Sequence, residues 1–156
     1  MTPDSDNLNR DGLFTVFVDD GDKYGFKVIN NLRVSLYVSL FYFDVSDLSI
    51  ASYYQPGTAK NGRVYEPLPA GGSLTIGYGS GEAPPQYYFL RDEQDVDVGF
   101  LKLFLTTGYV DFSNIPQASP FDPNRPTSPF RPKKPPLWDT LLVTVVQRRG
   151  RREDAM

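Results

Sequence analysis

Residues 36–43 run Leu-Tyr-Val-Ser-Leu-Phe-Tyr-Phe, and this stretch decides the fold class. Successive side chains of a β-strand point to opposite faces. One face would carry Leu36, Val38, Leu40 and Tyr42. The other would carry Tyr37, Phe41 and Phe43. Because both faces are apolar, the stretch predicts a central strand that is covered on both sides.

Shorter stretches of alternating aromatic and β-branched residues lie on either side, bounded by Gly and Pro. They cover residues 14–18, 24–28, 50–54, 74–78, 87–90, 99–106 and 138–147. The first two flank Asp19-Asp20-Gly21-Asp22 and predict a hairpin. No amphipathic helix is evident. Seven or eight short strands favour an all-β fold, an antiparallel β-sandwich of immunoglobulin-like or jelly-roll-like type.

The composition excludes several kinds of chemistry. The chain has 156 residues, no Cys and no His. Disulfides, thiolate metal sites, His-ligated zinc and heme, and Ser-His or Cys-His nucleophile pairs are therefore ruled out. The polar start at residues 1–12 lacks a secretory signal, and no stretch is long enough to span a membrane. We expect one domain in the cytoplasm.

Charge and proline are unevenly distributed along the chain. Residues 1–122 hold sixteen acidic and eight basic side chains, whereas residues 123–156 hold three and eight. Eight of the fourteen prolines fall within residues 116–136, and six recur at every third position from Pro120 to Pro135. Polyproline II has three residues per turn, so this segment predicts an extended, proline-rich strap before the last strand.

These features predict the domain boundaries. Residues 1–12 are expected to be a disordered N-terminus and residues 150–156 a disordered basic tail. Residues 13–149 form one β-sandwich domain that includes the strap, residues 116–136.

The acidic clusters do not indicate a catalytic or metal site. Asp19, Asp20 and Asp22 surround Gly21 as a tight turn requires, and their spacing is not that of a twelve-residue calcium loop. Residues 92–97 are more typical of a solvated acidic loop than of a hydrolase with paired carboxylates. We therefore predict no enzyme activity, no metal and no cofactor.

Several strings resemble a known family. They are Leu36-Tyr37-Val38, Phe41-Tyr42-Phe43-Asp44, Ser49-Ile50, Tyr54, residues 74–81, residues 97–104, Ser119-Pro120-Phe121, Trp138 and residues 145–149. Together they resemble the C-terminal accessory domain that follows the caspase-like, metacaspase-type peptidase domain of mushroom-forming fungi. The resemblance implies an accessory module. Proteolysis is not implied, because the chain has neither the Cys nor the His of such a peptidase.

The function expected is therefore a non-catalytic protein-interaction or regulatory β-sandwich module of an intracellular fungal protein. Its strap is expected either to lie against the acidic body, with Phe121 and Phe130 as anchors, or to bind a protein partner. The candidate contact residues on the strap are Phe121, Arg125, Phe130, Arg131, Lys133 and Lys134.

The alternative is a lectin-like, carbohydrate-binding sandwich. Its candidate sugar-stacking residues are Tyr54, Tyr78, Tyr88 and Trp138. Nucleic acid is not an expected partner, because an acidic body stands behind the basic tail. The sequence does not indicate an oligomeric state.

Overall fold

A computed structural model of the protein describes residues 6–56, 67–79, 83–124 and 137–155. Within these residues the chain is mostly β and forms eight strands. They are β1 (Asn9–Arg10), β2 (Leu13–Phe17), β3 (Phe26–Ile29), β4 (Tyr37–Asp44), β5 (Ile50–Tyr54), β6 (Ser73–Ile76), β7 (Val96–Thr106) and β8 (Trp138–Arg148). Two short 3-10 helices span Val18–Asp20 and Arg152–Ala155. None of the helices among the described residues has the length and apolar character to cross a membrane.

The strands form two sheets. Six pair in the order β1-β2-β8-β7-β4-β5, and β3 pairs with β6 in a second, two-stranded sheet. The six-stranded sheet is mixed, because β2 runs parallel to β8 while its other pairs are antiparallel. The prediction of a purely antiparallel fold is therefore wrong. A parallel pair needs a long connection, and more than a hundred residues separate β2 from β8.

The core lies between one face of the six-stranded sheet and the small sheet. Its buried members are Phe14, Val16, Tyr24, Leu40, Tyr42, Ile76, Tyr88, Leu101 and Val145. Phe26 and Val28 of β3 and Leu74 of β6 pack against this cluster. Because side chains alternate along each strand, one face of the six-stranded sheet points into this core. We call it the inner face, and we call the opposite one the outer face.

The prediction that residues 36–43 form a central strand covered on both sides is confirmed. β4 pairs with β5 on one edge and with β7 on the other. Leu40 belongs to the inner core, whereas Phe41 points to the outer face and is completely buried. The ring of Phe41 contacts those of Phe104 and Phe112, at centroid distances of 5.7 and 6.4 Å. The loop after β7 thus covers the outer face over β4.

The predicted hairpin of residues 14–18 and 24–28 is wrong. Both segments contain strands, but β2 belongs to the six-stranded sheet and β3 to the small one. The 3-10 helix Val18–Asp20 ends at Gly21, whose φ of +67° suits glycine, and the chain then crosses between the sheets. Residues 87–90, also predicted as a strand, carry none; the adjacent Gln86 makes an isolated bridge to Tyr24.

The ends of the chain carry more structure than predicted. Asn9 and Arg10, placed in a disordered N-terminus, form β1. The segment after β8, predicted to be disordered, contains a 3-10 helix. Its Gly150 N–H donates to Asp19 Oδ2 at 2.6 Å, and the Arg152 N–H donates to Asp20 Oδ2 at 3.3 Å. The acidic turn therefore binds backbone donors of the C-terminal segment.

Candidate functional site: the open edge of β8

The two edges of β8 differ in how far they are paired. Along one edge the whole strand pairs with β7, from Trp138 opposite Thr106 to Arg148 opposite Val96. Along the other edge β2 pairs only with residues 144–148. Among the described residues, Trp138–Leu142 therefore has no strand on the β2 side. We call this edge of Trp138–Leu142 the open edge.

β2 stops short because the chain turns back at Asp11 and Gly12. Both residues have positive φ, 51° and 83°, and the turn leads from β1 into β2. The Gly12 carbonyl accepts the N–H of Thr144 at 2.7 Å. A Cβ on Gly12 would lie 3.6 Å from the Leu142 carbonyl oxygen, so the turn comes close to the open edge and bounds it.

The backbone direction along the open edge follows from this bond. The N–H of Thr144 points towards β2, and every second residue of a strand points to the same edge. Trp138, Thr140 and Leu142 therefore direct their N–H and C=O groups outward. Leu137, one residue before Trp138, should point its backbone groups to the opposite edge. Its carbonyl does so, because it accepts the Thr107 N–H at 3.0 Å on the β7 side. At the centre, the Thr140 N–H donates to the Asp139 carboxylate at 2.7 Å.

Large apolar side chains flank the open edge on both faces. Trp138 is 65% exposed and Leu142 55% exposed on the outer face. Leu141 is 56% exposed on the inner face, beyond the part that the small sheet covers. Leu137, just before the strand, is 80% exposed. Outward backbone groups and exposed apolar side chains thus occur together along Trp138–Leu142, with Leu137 beside them.

Sequence reasoning selected Trp138 for another purpose and missed Leu137, Leu141 and Leu142. Residues 138–147 are predicted as a strand from their alternating threonines and valines, and that pattern does not distinguish the exposed half of the strand from the covered half. The exposure of the leucines and the short overlap with β2 are evident only in the structure.

The structure does not bring the four candidate sugar-stacking residues together. Tyr88 is buried in the core, which corrects its assignment to a surface. Tyr54 packs against the core on the inner face and lines a cavity of about 180 Å³ with Leu36, Val38 and Leu74. Tyr78 lies over Gly25, and Trp138 lies on the opposite, outer face. The four side chains therefore do not form one surface for stacking a sugar.

The candidate strap contacts fall mostly outside the described residues. Arg125, Phe130, Arg131, Lys133 and Lys134 all do. Phe121 is described and is 78% exposed, so it does not anchor the strap to the body. Its backbone N–H donates to Ser119 Oγ at 3.3 Å in a local turn.

The carboxylates of the acidic loop, residues 92–97, differ in exposure and in their partners. Asp92, Glu93 and Asp95 are exposed, whereas Asp97 is buried. The Asp97 carboxylate accepts from Ser46 Oγ at 2.6 Å and lies 3.4 Å from the Arg91 guanidinium. No group of three or more acidic side chains suited to a metal ion occurs in the described part of the chain.

Arg91 instead links three carboxylates. Besides Asp97 it reaches Asp44 at 3.0 Å and Asp47 at 3.2 Å. Burial acts to raise the pKa of Asp47, but hydrogen bonds from Ser49 and the charge of Arg91 outweigh it and leave the pKa below its usual value. Arg91, in the loop before β7, thereby links the end of β4 and the loop that follows it to the start of β7.

A second polar feature lies inside the core. Tyr24, Tyr42, Tyr53 and Tyr88, which we call the tyrosine cluster, have ring centroids 5.6 to 5.8 Å apart in three contacts. Burial raises the pKa of Tyr24 and of Tyr53 to about 12, and it raises those of Tyr42 and Tyr88 further. These hydroxyls therefore stay protonated at neutral pH.

The hydroxyls of the tyrosine cluster differ in their partners. The Tyr42 hydroxyl accepts the Gln147 side-chain N–H at 2.9 Å, across from Gly99, where a Cβ would overlap the ring of Tyr42. Among the described residues the hydroxyls of Tyr24 and Tyr88 have no partner in hydrogen-bonding geometry, although Arg152 and Tyr53 come close enough to influence their pKa values. Phe14 and Leu101 belong to the same buried core as Tyr24, Tyr42 and Tyr88, whereas Tyr53 is partly buried at its side.

Comparison with known proteins adds no assignment. No family model, no curated protein and no solved structure matches the chain. The resemblance to an accessory domain of fungal caspase-like proteins therefore stays a prediction.

Proposed function

We propose that the protein is a non-catalytic protein-interaction module, built on a β-sandwich, that contacts its partner through the open edge of β8. The observation that carries this proposal is the coincidence of outward backbone groups at Trp138, Thr140 and Leu142 with apolar side chains that are more than half exposed. Strand addition at such an edge is an established mode of protein recognition, in which backbone bonds supply affinity and side-chain pockets supply specificity.

The residues of the open edge support binding rather than protection. Proteins usually shield an exposed strand edge with lysines, prolines, bulges or an inward-pointing charge. Residues 138–142 contain no lysine and no proline, and their one charged side chain, Asp139 on the inner face, accepts a hydrogen bond from the Thr140 N–H of its own strand. Exposed apolar patches on otherwise polar surfaces mark interaction sites.

The proposal extends to the context of the chain. A companion module of an intracellular fungal caspase-like protein would need no catalytic group of its own, in keeping with a chain that has no Cys and no His. The strap, residues 116–136, would then be a second contact for the same partner or a cover for the domain.

Peptide selection tests this function. Phage-displayed random peptides are selected on the immobilised protein, and the affinity of the enriched peptides is measured by calorimetry. We expect peptides with alternating apolar residues, as strand addition requires. Trp138→Ala should weaken their binding at least about tenfold, because a buried Trp is a typical hot spot.

Phe89→Ala is the matched control, since it also removes an exposed aromatic side chain but lies outside both β8 and the strap. It should leave the affinity unchanged. Enrichment of no peptide, or binding that depends on Phe89 and not on Trp138, would show that the open edge is not the contact surface.

A further inference from the structure

We propose that the open edge pairs with the same edge of a second copy of the chain, antiparallel and about a two-fold axis at Thr140. The two six-stranded sheets then become one continuous sheet. This inference rests on the proposed function, because it names the partner of the same surface.

The backbone of the open edge is self-complementary in this register. The outward groups belong to Trp138, Thr140 and Leu142, which are evenly spaced about Thr140. An antiparallel pairing centred on Thr140 places Trp138 opposite Leu142 of the second copy and Thr140 opposite its own counterpart. All three are then hydrogen-bonded pairs, which gives about six bonds between the copies. The Thr140 N–H exchanges its bond to Asp139 for one to the second copy.

The side chains are compatible with the same axis. On the outer face, two Trp–Leu pairs flank a central Thr–Thr pair, and such cross-strand pairs stabilise antiparallel sheets. On the inner face, Leu141 lies opposite Asp139 of the second copy, so the two carboxylates do not oppose each other. No like charges are directly opposite in this register.

The ends of the open edge select the register. At one end the Gly12 turn occupies the position next to Thr144, so pairing stops after Leu142. At the other end the sequence before β8 is Pro135-Pro136-Leu137, and proline has no N–H to donate to a ladder. A shift by one residue would turn the backbone groups away from each other, and a shift by two would leave outward groups unpaired.

Charged residues introduced at position 140, on the two-fold axis, test the pairing. The mass of the native chain is measured by sedimentation equilibrium from about 1 µM to about 1 mM, a range that suits a small, transient interface. We expect it to rise from the 17.6 kDa of one chain towards twice that value. Thr140→Lys and Thr140→Glu should each be monomeric throughout, because like charges then face each other at Cα positions about 5.5 Å apart.

A 1:1 mixture of these two variants should restore the dimer, and native mass spectrometry should show that it contains one copy of each. Only a two-fold pairing centred on residue 140 places position 140 opposite itself. Thr144→Lys is the matched control, because it adds the same charge to the same face of β8 beyond the open edge. It should leave the dimer intact, and circular dichroism of all variants should show native β structure.

A native chain that stays monomeric at about 1 mM would overturn the pairing, and so would a dimer that Thr140→Lys leaves unchanged. Either result remains distinguishable from a failure of the proposed function. Peptide binding that Trp138→Ala abolishes would still support the open edge as a contact surface for another protein.

Discussion

Deleting the same atom from two neighbouring tyrosines should change stability in opposite directions. Tyr88→Phe removes a buried hydroxyl that has no partner in hydrogen-bonding geometry within the described part of the chain, whereas Tyr42→Phe removes one that accepts a bond from Gln147 at 2.9 Å. The two rings lie 5.8 Å apart in the tyrosine cluster, so their surroundings are matched.

The magnitudes follow from the state of each hydroxyl. An unpaired buried polar group costs about 1–3 kcal/mol of desolvation, so Tyr88→Phe should raise the free energy of unfolding by about 1 kcal/mol after the small void is counted. Tyr42→Phe loses a net hydrogen bond and leaves the Gln147 amide, whose Oε1 already lacks a partner, without any bond. It should lower the free energy of unfolding by about 1–2 kcal/mol.

Urea unfolding followed by far-ultraviolet circular dichroism measures the free energy of unfolding of both variants. The comparison is valid when that free energy depends on urea concentration with the same slope in each variant. The single Trp138 is 65% exposed and is a poor probe of unfolding. At about 2–4 °C per kcal/mol for a chain of this size, the two melting temperatures should differ by roughly 4–12 °C. A loss of stability in Tyr88→Phe equal to that in Tyr42→Phe would refute the reasoning, because it would mean that the Tyr88 hydroxyl is hydrogen-bonded.

Three further predictions concern packing, charge and pH. Gly99→Ala should lower the free energy of unfolding by about 1–3 kcal/mol in the same urea assay, because the new Cβ overlaps the Tyr42 ring; equal stability would show that the ring can move aside. Arg91→Met should cost about 1–2 kcal/mol at pH 7, because it strands the buried carboxylate of Asp97. Arg91 also helps to hold the pKa of Asp47 below its usual value, so the part of the cost that comes from Asp47 should be lost as the pH falls below about 4 and that carboxylate gains a proton. A cost that is constant with pH would argue for lost packing alone. In alkali, Tyr53, with a pKa of about 12, and the rest of the tyrosine cluster should ionise only with unfolding, above the usual tyrosine pKa of about 10. Because burial raises these pKa values, their contribution to stability is complete below about pH 10 and falls as the pH rises; phenolate absorbance in a single phase near pH 10 would contradict burial of the cluster.

Much of the secondary structure could be predicted from the residues. The two apolar faces of residues 36–43 correctly indicated a central, doubly covered strand, because that pattern is unfavourable on a surface. The strands within residues 50–54, 99–106 and 138–147 were also found by alternation. The hairpin was not, since alternation gives the faces of a strand and not the strand beside it.

The candidate site was less accessible to sequence reasoning. Trp138 was selected as an aromatic residue, but Leu141 and Leu142 look like core residues until the pairing of β8 is known. Tyr88 illustrates the converse: it was placed on a surface, and it is buried among the other aromatic rings because β6 and its neighbouring loops close over that part of the sheet.

By itself the sequence determined that this chain forms strands and that it lacks the side chains of Cys and His chemistry, because both follow from local residue types. The tertiary structure alone decided that β2 runs parallel to β8 and meets only its second half. That pairing joins residues more than a hundred positions apart, and no local pattern encodes its length or direction. The open edge exists because of where that long-range pairing ends.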